Sequence, residues 1–279
     1  MGLFRKNYEK PGKGVSKKER QKKGFFRFFE LYSRNLWKLI TAQMWYVLLS
    51  IPIFTGGLAQ VGMAYCCRMA ARDKHFFPTA DFFGAIKRNW KRALPMGIIN
   101  ALIEIVFILD MCVLYFYVDK GMMNKTWAAV VFAVSMFFFT AFSFAKYYQY
   151  TMMITFDYSF KSLMKNSWLF ATLGIKHNII IGSTLTLIYV AAFYIMMLNP
   201  QIGIALTLVI GLFIFSSFRC FLIQFNVFPE IKKYIIDPYY KEHPDADIEK
   251  RIDLGLLTYD ELEESEEAVF DDELPPDTL

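Results

Sequence analysis

Residues 35–91 read NLWKLITAQMWYVLLSIPIFTGGLAQVGMAYCCRMAARDKHFFPTADFFGAIKRNWK. An apolar run from Leu36 to Ile53 follows a basic segment and turns at residues 52–57. The chain then returns through a segment rich in small residues and ends in a basic, aromatic loop, residues 68–92. Two apolar runs with positive charge at both ends are typical of a membrane hairpin whose ends lie in the cytoplasm. We therefore predict that this stretch fixes the location and topology of the whole protein.

The composition supports a membrane protein. Of the 279 residues, 55% are hydrophobic and 18% are aromatic, which predicts an all-α, polytopic bundle of membrane helices. Residues 1–38 hold 12 Lys or Arg against 3 Asp or Glu, whereas residues 229–279 hold 5 against 17. Because the basic head runs directly into an apolar segment, we interpret it as a topology signal and predict the lipid bilayer, not nucleic acid, as its partner.

The hydropathy pattern divides the chain into three parts. We predict a disordered basic head (1–23), a membrane domain (24–228) and an acidic cytoplasmic tail (229–279). Since about 20 helical residues cross the hydrocarbon layer, six spans are predicted. They are 36–53, 58–71, 93–118, 126–150, 179–198 and 202–228. Residues 25–34 alternate Phe with charged residues, which favours a short amphipathic helix on the bilayer surface; the alternative is a continuation of span one.

Basic residues orient these spans. The head carries 12 Lys or Arg, the loop 68–92 carries seven and the segment 146–178 carries four. The alternate connections carry none, two and none. The positive-inside rule therefore places both termini in the cytoplasm.

Span two is the least regular of the six. Its small residues recur at Gly62, Cys66 and Ala70, a spacing that lets helix backbones approach closely in a membrane. We predict that span two lies inside the bundle, packed on span one or span three. A re-entrant segment is the alternative.

The two longer inner loops resemble each other. Phe83, Ile86, Arg88 and Asn89 match Phe160, Leu163, Lys165 and Asn166 at an offset of 77, and each loop carries a Trp (Trp90, Trp168). We interpret this as a parallel repeat, with the alternative that both loops are only interfacial anchors. The predicted cytoplasmic contact surface comprises Arg68, Asp81, Lys87, Asn89, Trp90, Lys165 and Asn166. For Asp81, capping a helix or pairing with a neighbouring cation is the competing role.

Two charged residues lie inside the predicted spans. Glu104 and Arg219 are each roughly 15 Å from the inner end of their helix at 1.5 Å per residue, so we predict that they form an ion pair. Asn100 lies one turn from Glu104, and Lys146 is the second candidate partner. The pair either locks the helices against one another or lines a polar cavity for a solute or a proton.

No pattern typical of a catalytic or metal site occurs. The three histidines have no carboxylate or thiol at a metal-ligand spacing, and GxSxG, Walker and GxGxxG motifs do not occur. We expect no enzyme activity, no metal and no cofactor. In the tail, residues 248–257 have helical spacing, and the acidic stretch that follows is either solvated or binds a partner.

Several short motifs resemble the YesL-like family of bacterial membrane proteins, a domain of unknown function. They are Asn35-Leu36-Trp37, Pro52-x-x-Thr55-Gly56-Gly57, Tyr65-x-x-Arg68, Asp81-Phe82-Phe83 and Lys87-x-Asn89-Trp90, with Asp237-Pro238-Tyr239-Tyr240 in the tail. The resemblance implies a multi-pass plasma-membrane protein, often encoded beside carbohydrate-uptake and glycan-degradation functions. It supplies no catalytic residues.

Three functional hypotheses follow. The first is a non-enzymatic accessory or regulatory partner of carbohydrate transporter components. The second is a small solute or ion transporter built around Glu104 and Arg219. The third is an enzyme acting on a lipid or glycan intermediate, which no nucleophile or metal motif supports.

Overall fold

The computed structural model describes residues 24–242, and within them every regular element is helical. The elements are α1 (Gly24–Arg34), α2 (Leu36–Ser50), α3 (Gly56–Ala71), α4 (Pro78–Asp119), α5 (Lys125–Thr155), α6 (Phe160–Leu173), α7 (Ile175–Leu198), α8 (Pro200–Ile210), α9 (Ser216–Ile231) and α10 (Asp237–Glu242). A 3-10 turn, Ile53–Thr55, precedes α3, and π-helical segments join α8 to α9 and α9 to α10. The all-α class is therefore confirmed for this part of the chain. The predicted disordered head and the tail beyond residue 242, including the expected helix at 248–257, lie outside the described residues.

Asparagine caps set the turns at one end of the bundle. The Asn124 side chain accepts a hydrogen bond from the Thr126 amide (3.0 Å) and starts α5 immediately after the end of α4. The Asn199 side chain accepts from the Ile202 amide (3.2 Å), and Pro200 occupies the first position of α8. Two antiparallel helix pairs, α4–α5 and α7–α8, result. We call the end that carries these turns the hairpin end, and the opposite end, where α3 and α5 end and α4 begins, the basic end.

Within residues 24–242, four helical segments are long and apolar enough to cross a membrane: Pro78–Asp119, Lys125–Thr155, Ile175–Leu198 and Pro200–Tyr240. Only 11–28% of the most apolar window of each is buried inside the protein. Such a large outward-facing apolar surface is suited to lipid hydrocarbon and not to water. The chain is therefore a helical membrane protein.

Neither α2 nor α3 is long enough to cross the hydrocarbon layer: α2 is shorter than the predicted span 36–53, and α3 extends the predicted span 58–71 by only two residues. They have 15 and 16 residues, about 22 and 24 Å of helix, against about 30 Å of hydrocarbon. The start of α3 lies against the middle of α4, since a Cβ added to Gly57 would lie 2.6 Å from the Gly97 Cα. From Gly97, α4 continues for about 33 Å to Asp119. Four crossing-length segments are thus present where six spans were predicted, because the α2–α3 pair does not reach the hairpin end.

Helix α3 lies at the centre of the part of the bundle between the level of Gly57 and the basic end, which we call the packed half. It contacts α1, α2, α4, α5 and α9. The predicted ladder of small residues, Gly62, Cys66 and Ala70, is entirely buried, and the Phe82 ring of α4 fills the space that a side chain at position 62 would need. The prediction that this segment is an interior helix packed on span one or span three is confirmed, and α3 contacts both α2 and α4.

A buried stripe recurs in the two inner loops. In α4 it comprises Ala85, Asn89, Ala93, Met96 and Asn100, and in α6 and α7 it comprises Leu163, Ser167, Ala171, Gly174 and Asn178. Corresponding members are 78 residues apart, one more than the predicted offset of 77. At the predicted offset the burial differs, since Asn89 is buried whereas Asn166 is only half-buried. The predicted offset therefore differs by one residue from the offset of the buried stripe, because it pairs Asn89, which lies in the stripe, with Asn166, which lies beside it.

Candidate functional site

Arg92 joins the start of α4 to the connection between α5 and α6. Its Nη1 donates hydrogen bonds to the carbonyl oxygens of Phe156 (3.0 Å) and Tyr158 (3.2 Å). Its Nη2 donates to Asn89 Oδ1 (2.7 Å) and forms an ion pair with Asp157 (3.2 Å). One side chain therefore holds both predicted inner loops together as a single surface at the basic end.

Two adjoining cavities open on this surface. The inner cavity has a volume of about 300 Å³ and the outer one about 560 Å³. Both are lined by Arg88, Asn89, Arg92 and Asp157, so they form one continuous cleft. Tyr65, Arg68 and residues 153–156 complete the inner part, whereas Lys87, Trp90 and Lys91 line the outer part. We call this feature the basic cleft.

Arg68 lies at the bottom of the basic cleft. Its side chain is 2% exposed, and its Nη1 donates to the Thr155 hydroxyl oxygen (2.8 Å). The Thr155 hydroxyl in turn donates to the Thr151 carbonyl (2.6 Å), which leaves its oxygen free to accept from Arg68. Burial, with the nearby charge of Arg72, lowers the pKa of Arg68 to about 10, so the guanidinium is still a cation at neutral pH.

The chemistry of the basic cleft favours anions. Guanidinium and amide groups supply hydrogen-bond donors, and among the described residues that line the cleft Asp157 is the one carboxylate. Within residues 24–242, no group of three or more His, Cys, Asp or Glu side chains is placed to hold a metal ion.

The predicted contact surface is only partly a surface. Lys87, Trp90 and Lys165 are exposed, and Asn166 is half-buried. Arg68 and Asn89, by contrast, are buried at 2% and 6% exposure, so these two side chains line the cleft from within and do not form part of an exposed contact surface. Lys165 and Asn166 lie on α6, and neither lines the basic cleft.

Asp81 acts as a helix cap. Its carboxylate accepts a hydrogen bond from the Phe77 amide (2.7 Å) at the start of α4. This is the capping role that was weighed for Asp81 against a contact role. Sequence position alone left both roles open, because Asp at the start of a helix suits either.

Glu104 pairs with Lys146 and not with Arg219. The Lys146 ammonium donates to Glu104 Oε1 in an ion pair between α4 and α5. The predicted direct pair with Arg219 was wrong, and the second candidate partner takes its place. Matched depths show that two residues lie at one level, but the short turn after Asp119 makes α4 and α5 direct neighbours.

Arg219 and Asn100 have other partners at the same level. Arg219 Nη2 donates to Gln60 Oε1 (3.4 Å) on α3, and Glu104 remains near enough to act on it electrostatically. Asn100, which is 3% exposed, donates to Gln149 Oε1 (2.8 Å) and to the Tyr150 hydroxyl (3.2 Å). These intramembrane groups are engaged with one another in part, since Asn100 Oδ1 and Arg219 Nε have no hydrogen-bond partner among the described residues.

Gln43 is a polar residue that the sequence analysis missed. Its Nε2 donates to the carbonyls of Gly211 (3.1 Å) and Leu212 (3.2 Å), and its Oε1 accepts from the Ser217 amide (2.7 Å). A π-helical segment widens the helix and leaves such backbone groups without their usual partners. Gln43 therefore connects α2 to the segment between α8 and α9. In the sequence, the one indication of this role is that Gln43 is a single amide side chain within an apolar run.

Residues 31–111 match the model of a family described as "Protein of unknown function, DUF624". The YesL-like proteins belong to this family, so the resemblance is confirmed over this segment. No curated protein and no solved structure matches the chain. The matched segment contains the α2–α3 pair, Glu104, and the Tyr65, Arg68, Arg88 and Arg92 side chains of the basic cleft.

Proposed function

We propose that this chain, whose residues 31–111 belong to the DUF624 family, is a non-enzymatic accessory or regulatory membrane protein that acts by contact at its basic end. The proposed partners are components of a carbohydrate transporter in the bacterial plasma membrane. The YesL-like resemblance supports this choice of partner. The contact role rests on one observation: Arg92 joins the two inner loops into a single surface.

The distribution of charge orients the protein. Lys87, Arg88, Lys91 and Arg92 cluster at the basic end, whereas the turn between α4 and α5 carries only Lys120 and Lys125. By the positive-inside rule, the basic end faces the cytoplasm. The Arg34 end of α1 then lies on that side, since Arg34 pairs with Asp73 just after α3, which supports the proposal that the termini are cytoplasmic.

The α2–α3 pair enters the inner leaflet and returns without crossing it. Its tip reaches only the level of Gly97, and the apolar side chains there point outward: Ile51 is 73% exposed, Ile53 69% and Phe54 58%. Exposed residues of this kind are suited to lipid. If α2 and α3 form a re-entrant pair, the number of spans falls from six to four. Both numbers are even, so the two termini lie on the same side of the membrane in either arrangement.

The arrangement of the intramembrane groups favours contact over transport. A transporter needs polar groups that are open to a solute, whereas Glu104 is engaged with Lys146, and Arg219 with Gln60. At the basic end, exposed aromatic and basic side chains such as Trp90 and Lys87 surround the cleft. Aromatic residues and arginine are enriched where proteins bind each other.

Site-specific photo-crosslinking in native membranes tests the proposed function. A photoreactive residue at Trp90 is expected to capture sugar-transporter components, which mass spectrometry identifies. Trp127 is the matched control, because it is a tryptophan of similar exposure (67% against 51%) at the hairpin end. Capture of the same components from both positions, or of none from position 90, would contradict the proposal. Deletion of the gene, followed by growth on a panel of oligosaccharides, gives an independent readout.

A further inference from the structure

Arg68 is a buried cation without a buried counter-ion. Among residues 24–242, no carboxylate oxygen lies within 4.0 Å of its guanidinium, although its side chain is only 2% exposed. Its Nη1 contacts Thr155 and Ile154, but its Nε has no hydrogen-bond partner. Leaving a buried charged donor unpaired is costly, so such a group usually has a ligand or an ion as its partner.

A second arginine is stacked beside it. Both guanidinium groups lie within cation–π distance of the Tyr65 ring, whose centroid is 5.3 Å from Arg68 and 5.1 Å from Arg88. No ion pair with Arg88 forms within the described part of the chain. The aromatic ring therefore holds two cations at the same cavity, each with donors available.

The third arginine of the cleft has a different role. Arg92 donates to two backbone carbonyls and pairs with Asp157, so it mainly shapes the wall. Counting Arg68, Arg88, Arg92 and Asp157, the inner cavity has a net charge of about +2. The side chain of Asp157 is 98% exposed, so it screens the deeper arginines weakly.

We propose that the inner cavity of the basic cleft binds a phosphomonoester group, with Arg68 and Arg88 as its ligands. A phosphomonoester carries a charge of about −1.5 to −2 at neutral pH, which balances the charge of the cavity. Guanidinium groups bind phosphate oxygens in pairs of parallel hydrogen bonds. The volume of about 300 Å³ is at the lower end of the range for small-molecule sites, so it accommodates a phosphate with a small attached group.

Two sources present this chemistry at the inner membrane surface. A soluble phosphorylated small molecule reaches the cleft from the cytoplasm, and a lipid with a phosphomonoester headgroup reaches it from the inner leaflet. The proposal goes beyond the proposed function and is independent of it, because it is tested on the isolated protein and needs no transporter component.

Binding to the purified full-length protein tests the site. Isothermal titration calorimetry with glycerol 3-phosphate probes the soluble source, and nanodiscs of phosphatidylcholine with and without phosphatidic acid probe the lipid source. Binding of glycerol 3-phosphate supports a soluble ligand, and binding of phosphatidic acid alone supports a lipid. If neither binds, the proposal is overturned. Glycerol and acetate serve as controls for the attached group and for a monoanion.

Variants separate the site from diffuse electrostatic attraction. Arg88→Gln is expected to weaken binding about tenfold or more, since it removes a charge-assisted contact. Lys87→Gln, which removes the same charge from the adjacent position in the outer cavity only, is expected to leave binding within about twofold. Equal loss in both variants, or no loss in Arg88→Gln, would overturn the proposal. Arg68→Lys is a second variant that keeps the buried charge, and it should also weaken binding while the unliganded protein remains folded.

Discussion

Glu104 lies in a largely apolar helix, and its carboxylate is paired with Lys146 on the neighbouring helix. In low-dielectric surroundings, removing one partner leaves an unpaired charge, which costs more than the pair contributes. A charged side chain in such surroundings is therefore stabilised mainly by its ion-pair partner. The sequence provided that partner only as the second candidate, after Arg219.

A double-mutant cycle on this pair is the prediction at the residue scale. Glu104→Gln and Lys146→Met should each destabilise the protein in detergent, and the double variant should be milder than the two effects added. We expect a coupling of about 1–3 kcal/mol, the usual range for directly interacting residues. Reversible unfolding in mixed micelles measures it.

The matched control is the cycle between Glu104 and Arg219. Arg219 lies at the same level, but it donates to Gln60. Its coupling to Glu104 should therefore be smaller than that of Lys146. If the Arg219 cycle gave the larger coupling, the pairing in the structure would be wrong and the pairing predicted from depth would be right.

The residue scale also shows where sequence patterns fail. The depths of Glu104 and Arg219 followed from counting residues along single helices, and the two residues are near enough to interact electrostatically although they do not pair. Which helix is the neighbour depends on packing around the bundle axis, which counting does not provide. The same applies to Arg68 and Asn89, whose polar character predicted a surface although both are buried.

At the scale of elements, α3 and α4 pack backbone against backbone where Gly57 meets α4. A Cβ at Gly57 would lie 2.3 Å from the Ala93 carbonyl oxygen and 2.6 Å from the Gly97 Cα. Both neighbours are backbone atoms, so neither can move aside without shifting a helix. The glycine pair thus sets how closely the tip of the α2–α3 pair docks on α4.

Gly57→Ala should therefore separate these two helices. We expect a loss of about 1–3 kcal/mol, typical of overpacking in a tight core, and a lower melting temperature in detergent. Gly56→Ala is the matched control, because the adjacent position is also helical and has no atom within 4 Å of the added Cβ. That control should be neutral or slightly stabilising, given the better helix propensity of Ala. Equal effects at both positions would contradict the close contact.

The sequence predicted the interior position of α3 because small residues at every fourth position have a direct physical use between helices. It did not predict the length of that helix relative to α4. Hydropathy shows that both helices are apolar, but it does not show where the α2–α3 pair ends along α4. That point is set by the turn between Pro52 and Gly57, which packs against Gly97. The repeat of the inner loops was likewise visible, but its register followed from burial.

At the scale of the whole molecule, the membrane class followed from composition alone. The number of spans depends instead on how far each helix extends across the bilayer in the folded protein. With six spans, the tip of the α2–α3 pair would lie on the outer surface. If the pair is re-entrant, its tip stays on the inner side of the bilayer. About 33 Å of α4, from Gly97 to Asp119, then separates the tip from the turn at the hairpin end. These two arrangements differ in what an impermeant reagent can reach.

Single cysteines in a variant without native cysteines distinguish them. An impermeant maleimide added to intact cells should label Met122→Cys, in the exposed turn at the hairpin end, and should not label Ile53→Cys at the tip of the pair. Phe77→Cys at the basic end should be labelled only in inverted vesicles, which also tests the orientation. Since Ile53 is as exposed on the protein as Met122 (69% against 67%), only lipid and sidedness can make their labelling differ. Equal labelling of both from outside would show that α2 and α3 cross the membrane.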